Sequence, residues 1–145
     1  MKLSNIWFSA LSENEEGQML WITGRDDIEA FKSSGKFKER AEVTWKYSPD
    51  SKGLPSNEEA LRMEEVENVL RRAMEKDKLS ILTGIYTGGG ERVWVYYTRT
   101  TRVFGERLNA VLEPFDLLPI SIYTEIDPDW EEYADMYEMK ECRID

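Results

Sequence analysis

Over residues 41–48, AEVTWKYS, apolar and polar positions alternate without a break. Ala41, Val43, Trp45 and Tyr47 fall on one side, with Glu42, Thr44 and Lys46 on the other, the period of a half-buried β-strand. Upstream, SNIWFSALSE and QMLWITGR are short apolar and aromatic runs separated by the turn-rich NEEG, which predicts a β-hairpin. DDIEAFKSSG follows as a short helix, with Asp26 or Asp27 able to cap its start and Gly35 its end. After the loop PDSKGLPSNEEA, Ser56 and Glu59 have capping-box spacing. They open a helix whose stripe is Met63, Val66, Leu70, Ala73 and Met74. Glu64, Glu65, Asn68, Arg71, Arg72 and Glu75 read as its solvated side, and Glu67 with Arg71 has the favourable four-residue order for an ion pair. LSILTGIYT and ERVWVYYTRT are strands joined by Gly88, Gly89 and Gly90, a tight hairpin turn. No Gly-Lys-Ser/Thr or helix start follows those glycines, so they are not a phosphate loop. A third helix is predicted at about residues 102–114, placing Phe104, Leu108, Val111, Leu112 and Phe115 together. LPISIYTEI is the last strand, with Ile120, Ile122 and Thr124 on one side.

The run IDPDWEEYADMYEMK, residues 126–140, gathers carboxylates, a proline and aromatics. Asp127 is a good N-cap, and Pro128 at the first helical position loses no hydrogen bond through its missing N–H. Asp129, Glu131 and Glu132 in the first turns complement the helix dipole. Trp130, Tyr133, Ala134 and Tyr137 recur at helical spacing as one aromatic stripe, with Glu131, Asp135 and Glu138 away from it. The run reads as a capped amphipathic helix docking its rings on the body, so Asp127, Pro128, Trp130 and Tyr133, like Ser56 and Glu59, are assigned structural roles.

From about residue 40 to 126 the order is strand, helix, strand, strand, helix, strand. That order predicts an α+β fold: a ferredoxin-like βαββαβ sheet, extended by the N-terminal hairpin and covered in part by the C-terminal helix. A single domain is expected over 1–145, with 1–38 as hairpin and short helix, 40–126 as the core and 127–141 as the last helix. Val93, Val95 and Tyr97 are expected to face the two core helices. Trp94 and Tyr96 would then stand on the opposite face with Leu82, Tyr86 and Tyr123. Trp94, Tyr96, Tyr86 and Tyr123 thus form a candidate interface, covered by the terminal elements, a second subunit or a ligand.

Composition narrows the chemistry. The chain has 145 residues, 41% apolar and 33% charged, a globular balance. There is no histidine, which removes the usual general base and near-neutral proton switch. The single cysteine, Cys142, allows no internal disulfide and no cysteine zinc cage, and reads as an incidental free thiol. No apolar run reaches the length of a membrane span, and the first residues lack a signal-peptide pattern, so a cytoplasmic protein without membrane contact is expected. Residues 101–145 hold four basic and twelve acidic groups, −8 of the net −10. That imbalance disfavours nucleic acid, whose binding rests on neutralising phosphates, and suits a basic protein partner or a homo-oligomer.

The pieces GLPSNEEALRMEEVENVL, LTGIYTGGGERVWVYY and DPDWEEY, in that order, resemble the uncharacterised bacterial domain-of-unknown-function family six-nine-five. Gly53-Leu54-Pro55, Glu58-Glu59, Tyr96 or Tyr97, Asp127-Pro128, Trp130 and Tyr133 carry the resemblance over residues 53–137, and Trp7 extends it weakly upstream. The family is similar in architecture to a protein regulator of ribonuclease E. The resemblance implies a regulatory, non-catalytic module and brings no catalytic residues.

Three functions compete. The first is a non-enzymatic interaction or regulatory module needing no cofactor. The second is an RNA-binding sheet, with Trp94 and Tyr96 stacking bases. The third is a small carboxylate-dependent enzyme, with Mg²⁺ at Asp127, Asp129 or Glu131. The first agrees best with the missing histidine and the acidic C-terminal third.

Overall fold

The computed structural model describes residues 2–143, which form a mixed α+β protein: a six-stranded antiparallel sheet and four α-helices. Strands β1 (Ile6–Glu13) and β2 (Met19–Asp26) form the first hairpin. Its turn is tied by the Asn14 side chain, which accepts from the backbone N–H groups of Glu16 and Gln18 at 3.0 and 2.9 Å. Helix α1 (Glu29–Ser33) leads to β3 (Glu39–Lys46), then α2 (Asn57–Glu75), β4 (Ser80–Gly88) and β5 (Glu91–Thr98). Helix α3 (Thr101–Leu112), β6 (Ile120–Ile126), α4 (Glu131–Glu138) and a 3₁₀ turn (Met139–Cys142) complete the order. Among the described residues, no helix is long and apolar enough to cross a membrane.

The strands lie in the order β1-β2-β4-β5-β3-β6, each antiparallel to its neighbour. The β4–β5 turn is Gly89-Gly90, with φ of 59° and 88°. Positive φ at both central residues matches the twist of the flanking strands, and glycine reaches it without a Cβ clash. Ser56 caps α2 by accepting from the Glu59 N–H at 3.2 Å. The Glu59 carboxylate turns away to accept from the Trp45 indole at 3.1 Å.

Helices cover both sheet faces. On the first, α2 and α3 bury Met63, Val66, Leu70, Met74, Phe104 and Leu108 against Ala41, Val43, Trp45, Leu82, Trp94 and Tyr96. On the second, α1 and α4 bury Phe31, Trp130, Tyr133 and Met136 against Phe8, Ile22, Ile81, Val95 and Tyr97. Helix α4 sits so low over β2 that a Cβ at Gly24 would lie 2.5 Å from the Met136 sulfur.

The assignment of faces differs from the one the sequence suggested. Trp94 and Tyr96, not Val95 and Tyr97, face α2 and α3, and both are fully buried. Strand β5 is apolar on both sides because both sides are covered, so its own pattern carries no sign of which helices lie where. Register supplies that sign: Ala41 pairs with Tyr96 and Val43 with Trp94, tying them to the unambiguous face of β3. Leu82 and Tyr86, both expected beside Trp94, also separate. A bulge between Leu82 and Gly84 inserts Thr83, which reverses the alternation and sends Tyr86 to the second face.

Candidate functional site

The two edges of the sheet are finished differently. Beyond β1, the C-terminal segment folds back, with a bridge between Ala10 and Arg143. Nearby, the Lys140 ammonium is hydrogen-bonded to Asp26. Beyond β6, no described element follows in the sheet order. Six of the seven β6 residues are exposed, including Ile122, Tyr123 at 55% and Ile126 at 77%. The strand pairs with β3 in one unbroken register from Glu39↔Ile126 to Trp45↔Ile120. Ile120, Ile122 and Thr124 therefore share the first face, and Ser121, Tyr123 and Glu125 share the second with Thr44, Glu42 and Arg40.

A carboxylate cluster stands behind Tyr123 on that second face. The Arg40 guanidinium, from β3, donates to Glu42 at 2.8 Å, to Glu125 at 2.5 Å and to Asp127 at 2.6 Å. Asp127 is 4% exposed and fully engaged. It also accepts from the Tyr97 hydroxyl at 2.6 Å and from the backbone N–H groups of Glu131 and Glu132 at 2.9 and 3.3 Å. Burial pushes its pKa up, but these donors win and hold it below the ordinary carboxylate range. A carboxylate so saturated is an anchor rather than a free base or metal ligand.

Asp127 caps α4 through its side chain, although the helix begins at Glu131, three residues after the start expected at Pro128. Residues 127–130 form a turn closed by the Trp130 N–H on the Asp127 carbonyl at 3.1 Å. Trp130 itself is left-handed, with φ of 56°. That conformation is unfavourable for a bulky residue and persists where packing over-determines it. Here the indole stacks on Tyr97 at 4.3 Å and donates to the Phe37 carbonyl at 2.7 Å, with Tyr133 edge-on at 5.4 Å. Pro128 lies exposed in the turn, not inside the helix. Tyr133 is buried and donates its hydroxyl to the Arg25 carbonyl at 2.6 Å.

Glu132 escapes the simple wheel picture of α4. Its Oε1 accepts from the Tyr86 hydroxyl at 2.5 Å, while Oε2 is buried without a partner. Burial is the main cause of a pKa pushed up to about 7, with Glu42 and Asp127 adding repulsion. On the first face, Glu67 accepts from the Trp94 indole at 2.8 Å, and burial raises its pKa as well. Glu67 is thus committed to Trp94, and Arg71 pairs with Glu75 at 3.2 Å instead.

Of the four residues of the expected interface, Tyr123 alone is on open surface. Tyr86 is half-buried on Glu132, and Trp94 and Tyr96 are sealed under α2 and α3 with no ring face on which a base could stack. The second site missed in the sequence is Arg25, 2% exposed at the end of β2. It donates to Glu75 at 2.8 Å and to the Leu82 carbonyl at 2.9 Å, with Trp7 stacked 4.8 Å from the guanidinium. No local pattern marks it, because its partners come from α2 and β4.

An α+β protein with helices on both faces of one antiparallel sheet, bridged at one edge by its C-terminal segment and open along the other, is the class these observations define. The chain belongs to the family described as Family of unknown function (DUF695), which matches residues 7–137. No curated protein and no solved structure matches it.

Proposed function

We propose that the chain is a non-enzymatic protein-interaction or regulatory module and that strand β6 is where its partner docks. The observation that carries this reading is the finish of β6: regular, unbulged, largely exposed, and bearing Ile122, Tyr123 and Ile126. Uncovered edges offer unpaired N–H and C=O groups, and soluble proteins usually blunt them with lysine, proline, bulges or a covering element. Among the described residues β6 shows none of these, while β1 is bridged at Ala10 by the C-terminal segment. Edges left in this state are used for strand addition by partners. The saturated Asp127 carboxylate supports an architectural role for the acids nearest the fold centre.

Residues 40–126 are read as the ferredoxin-like βαββαβ unit, with 1–38 and 127–141 as additions. In a split βαβ arrangement a strand separates each pair joined through a helix. The sheet order supports that reading: β5 lies between β3 and β4, and β3 lies between β5 and β6. A regulatory role is also what the family resemblance read from the sequence implies.

Photo-crosslinking in the source cell tests the reading. A benzoyl-phenylalanine at position 123 should give discrete protein adducts, and one at Leu61, 68% exposed on α2, should not. Equal yields at both positions, or none at 123, would remove β6 as the docking edge.

A further inference from the structure

The two sides of β6 differ in chemistry, and that difference specifies what can lie against it. On the first face Ile122 is followed by Ile120, which lines a groove of 450 Å³ between α3 and the loop before β6 together with Leu108, Leu112, Phe115 and Leu118, with Glu113 and Asp116 also on its wall. Leu117, 98% exposed, stands at its rim. On the second face the neighbours are Tyr123, Glu125 and Glu42. Three carboxylates there, Glu42, Glu125 and the buried Asp127, face two cations, Arg40 and the exposed Lys46 at the far end of β3, so the face keeps an acidic surplus around Tyr123. Successive side chains of an added strand point to opposite faces. One set would meet Ile122 and the largely apolar side of the groove, and the other Tyr123 and the carboxylates.

We infer that the segment docking on β6 is an extended strand of a different protein in which apolar and basic residues alternate. The inference rests on the reading of β6 as the docking edge and names its occupant. A second copy of this chain is a poor occupant. It would bring another Glu125, and another C-terminal third carrying −8, against the same acidic surface. Like charges placed across an interface oppose association. Lysine or arginine in the same positions would cover the aromatic ring of Tyr123 with an aliphatic stem and meet the surplus charge.

Titration of the full chain with eight-residue peptides tests this, with hydrogen exchange at the β6 amides locating the site. The probes are alternating Lys–Val, alternating Gln–Val and alternating Glu–Val peptides. The Lys–Val peptide should bind at least tenfold more tightly than the Gln–Val peptide, weaken with salt, and protect β6. The Glu–Val peptide should not bind. Glu125→Lys should erase the preference for Lys–Val, and Ile122→Lys should weaken every peptide that binds. If Gln–Val protects β6 as well as Lys–Val, the basic occupant is wrong while the docking edge stands. If no peptide protects β6, both fail. A dimer of the free protein in sedimentation that Ile122→Lys dissolves would make the occupant a second copy and overturn the inference.

Discussion

The second face of the sheet is two regions in one plane. Over β2, β4 and β5 it is sealed by α1 and α4, and its side chains are Ile22, Ile81, Val95 and Tyr97 under Trp130, Tyr133 and Met136. Over β3 and β6 no helix is laid, and the same face shows Thr44, Glu42, Ser121, Tyr123 and Glu125. Arg40, Asp127 and Glu132 form the seam. The contrast shows how one sheet face can be core and surface at once: covering stops where the side chains turn polar, and on this face the buried carboxylates Asp127 and Glu132 lie along the line where covering stops. Burying a charge costs several kcal/mol unless it is paired. Asp127 meets that condition and Glu132 does so only in part, with one oxygen unpartnered.

The largest effect lies in the sealed half. Trp130→Ala removes a ring that is 1% exposed and stacked on Tyr97, together with the restraint that holds residue 130 left-handed. A loss of about 4 kcal/mol in a urea melt is expected for emptying such a site. A loss below about 1 kcal/mol would mean that α4 is not integral to the core.

At the seam, Asp127→Ala takes the most buried carboxylate from Arg40, which keeps Glu42 and Glu125, leaves the buried Tyr97 hydroxyl without its acceptor and removes the cap from α4. About 3 kcal/mol is expected, the range for breaking a buried ion pair. Removing one partner of the exposed pair Arg102–Glu106 is the contrasting measurement and should cost no more than about 0.5 kcal/mol.

Glu132 sharpens the seam through pH. Its folded pKa is pushed up to about 7 from an ordinary 4.5, chiefly by burial. The folded state therefore holds the proton more strongly, and stability falls as pH rises from about 4.5 to about 7. One pKa unit corresponds to about 1.4 kcal/mol, so the drop is on the order of 3 kcal/mol at most. Asp127 acts oppositely and in a lower window: its pKa is depressed, so its stabilisation is lost as pH falls below the ordinary carboxylate value of 3.8. Chemical melts at pH 5 and pH 8 should show the decline, and Glu132→Gln should flatten most of it. Glu67, also raised by burial, leaves a residual slope. An unchanged slope in Glu132→Gln would place the titration elsewhere.

What the sequence discloses follows from how local each cause is. Strand β3 is legible because only one of its faces is core, and Ser56 because an N-cap acts within three residues. The faces of β5 are not legible, because an all-apolar strand takes its orientation from the register of its neighbours. The bulge at Thr83 is marked in LSILTGIYT only by Gly84, a glycine inside a strand run, yet it decides where Tyr86 points. Asp127 is recognisable as a cap, but its other partner, Arg40, lies 87 residues away, and nothing near Arg40 announces the pairing. Glu132 is legible only as a first-turn carboxylate, because its burial comes from Tyr86 on β4, which packs against the α4 face bearing Tyr133 and Met136. Tyr123 is the one candidate interface residue whose exposure could be read from alternation along its own strand.

The smallest expected effect tests the open half most directly. Tyr123→Ser removes a large ring, as Trp130→Ala does, but this ring is 55% exposed and belongs to neither core cluster. Substitutions at such positions usually change stability by no more than about 0.5 kcal/mol. A serine at 123 should therefore leave the urea midpoint nearly unchanged while abolishing the crosslinked or peptide-bound state at β6. Ring removal that is silent in folding and decisive in binding is the signature of a docking residue. A loss above about 2 kcal/mol with binding intact would instead make Tyr123 part of the core, and the two halves of the second face would then be continuous rather than divided at Arg40.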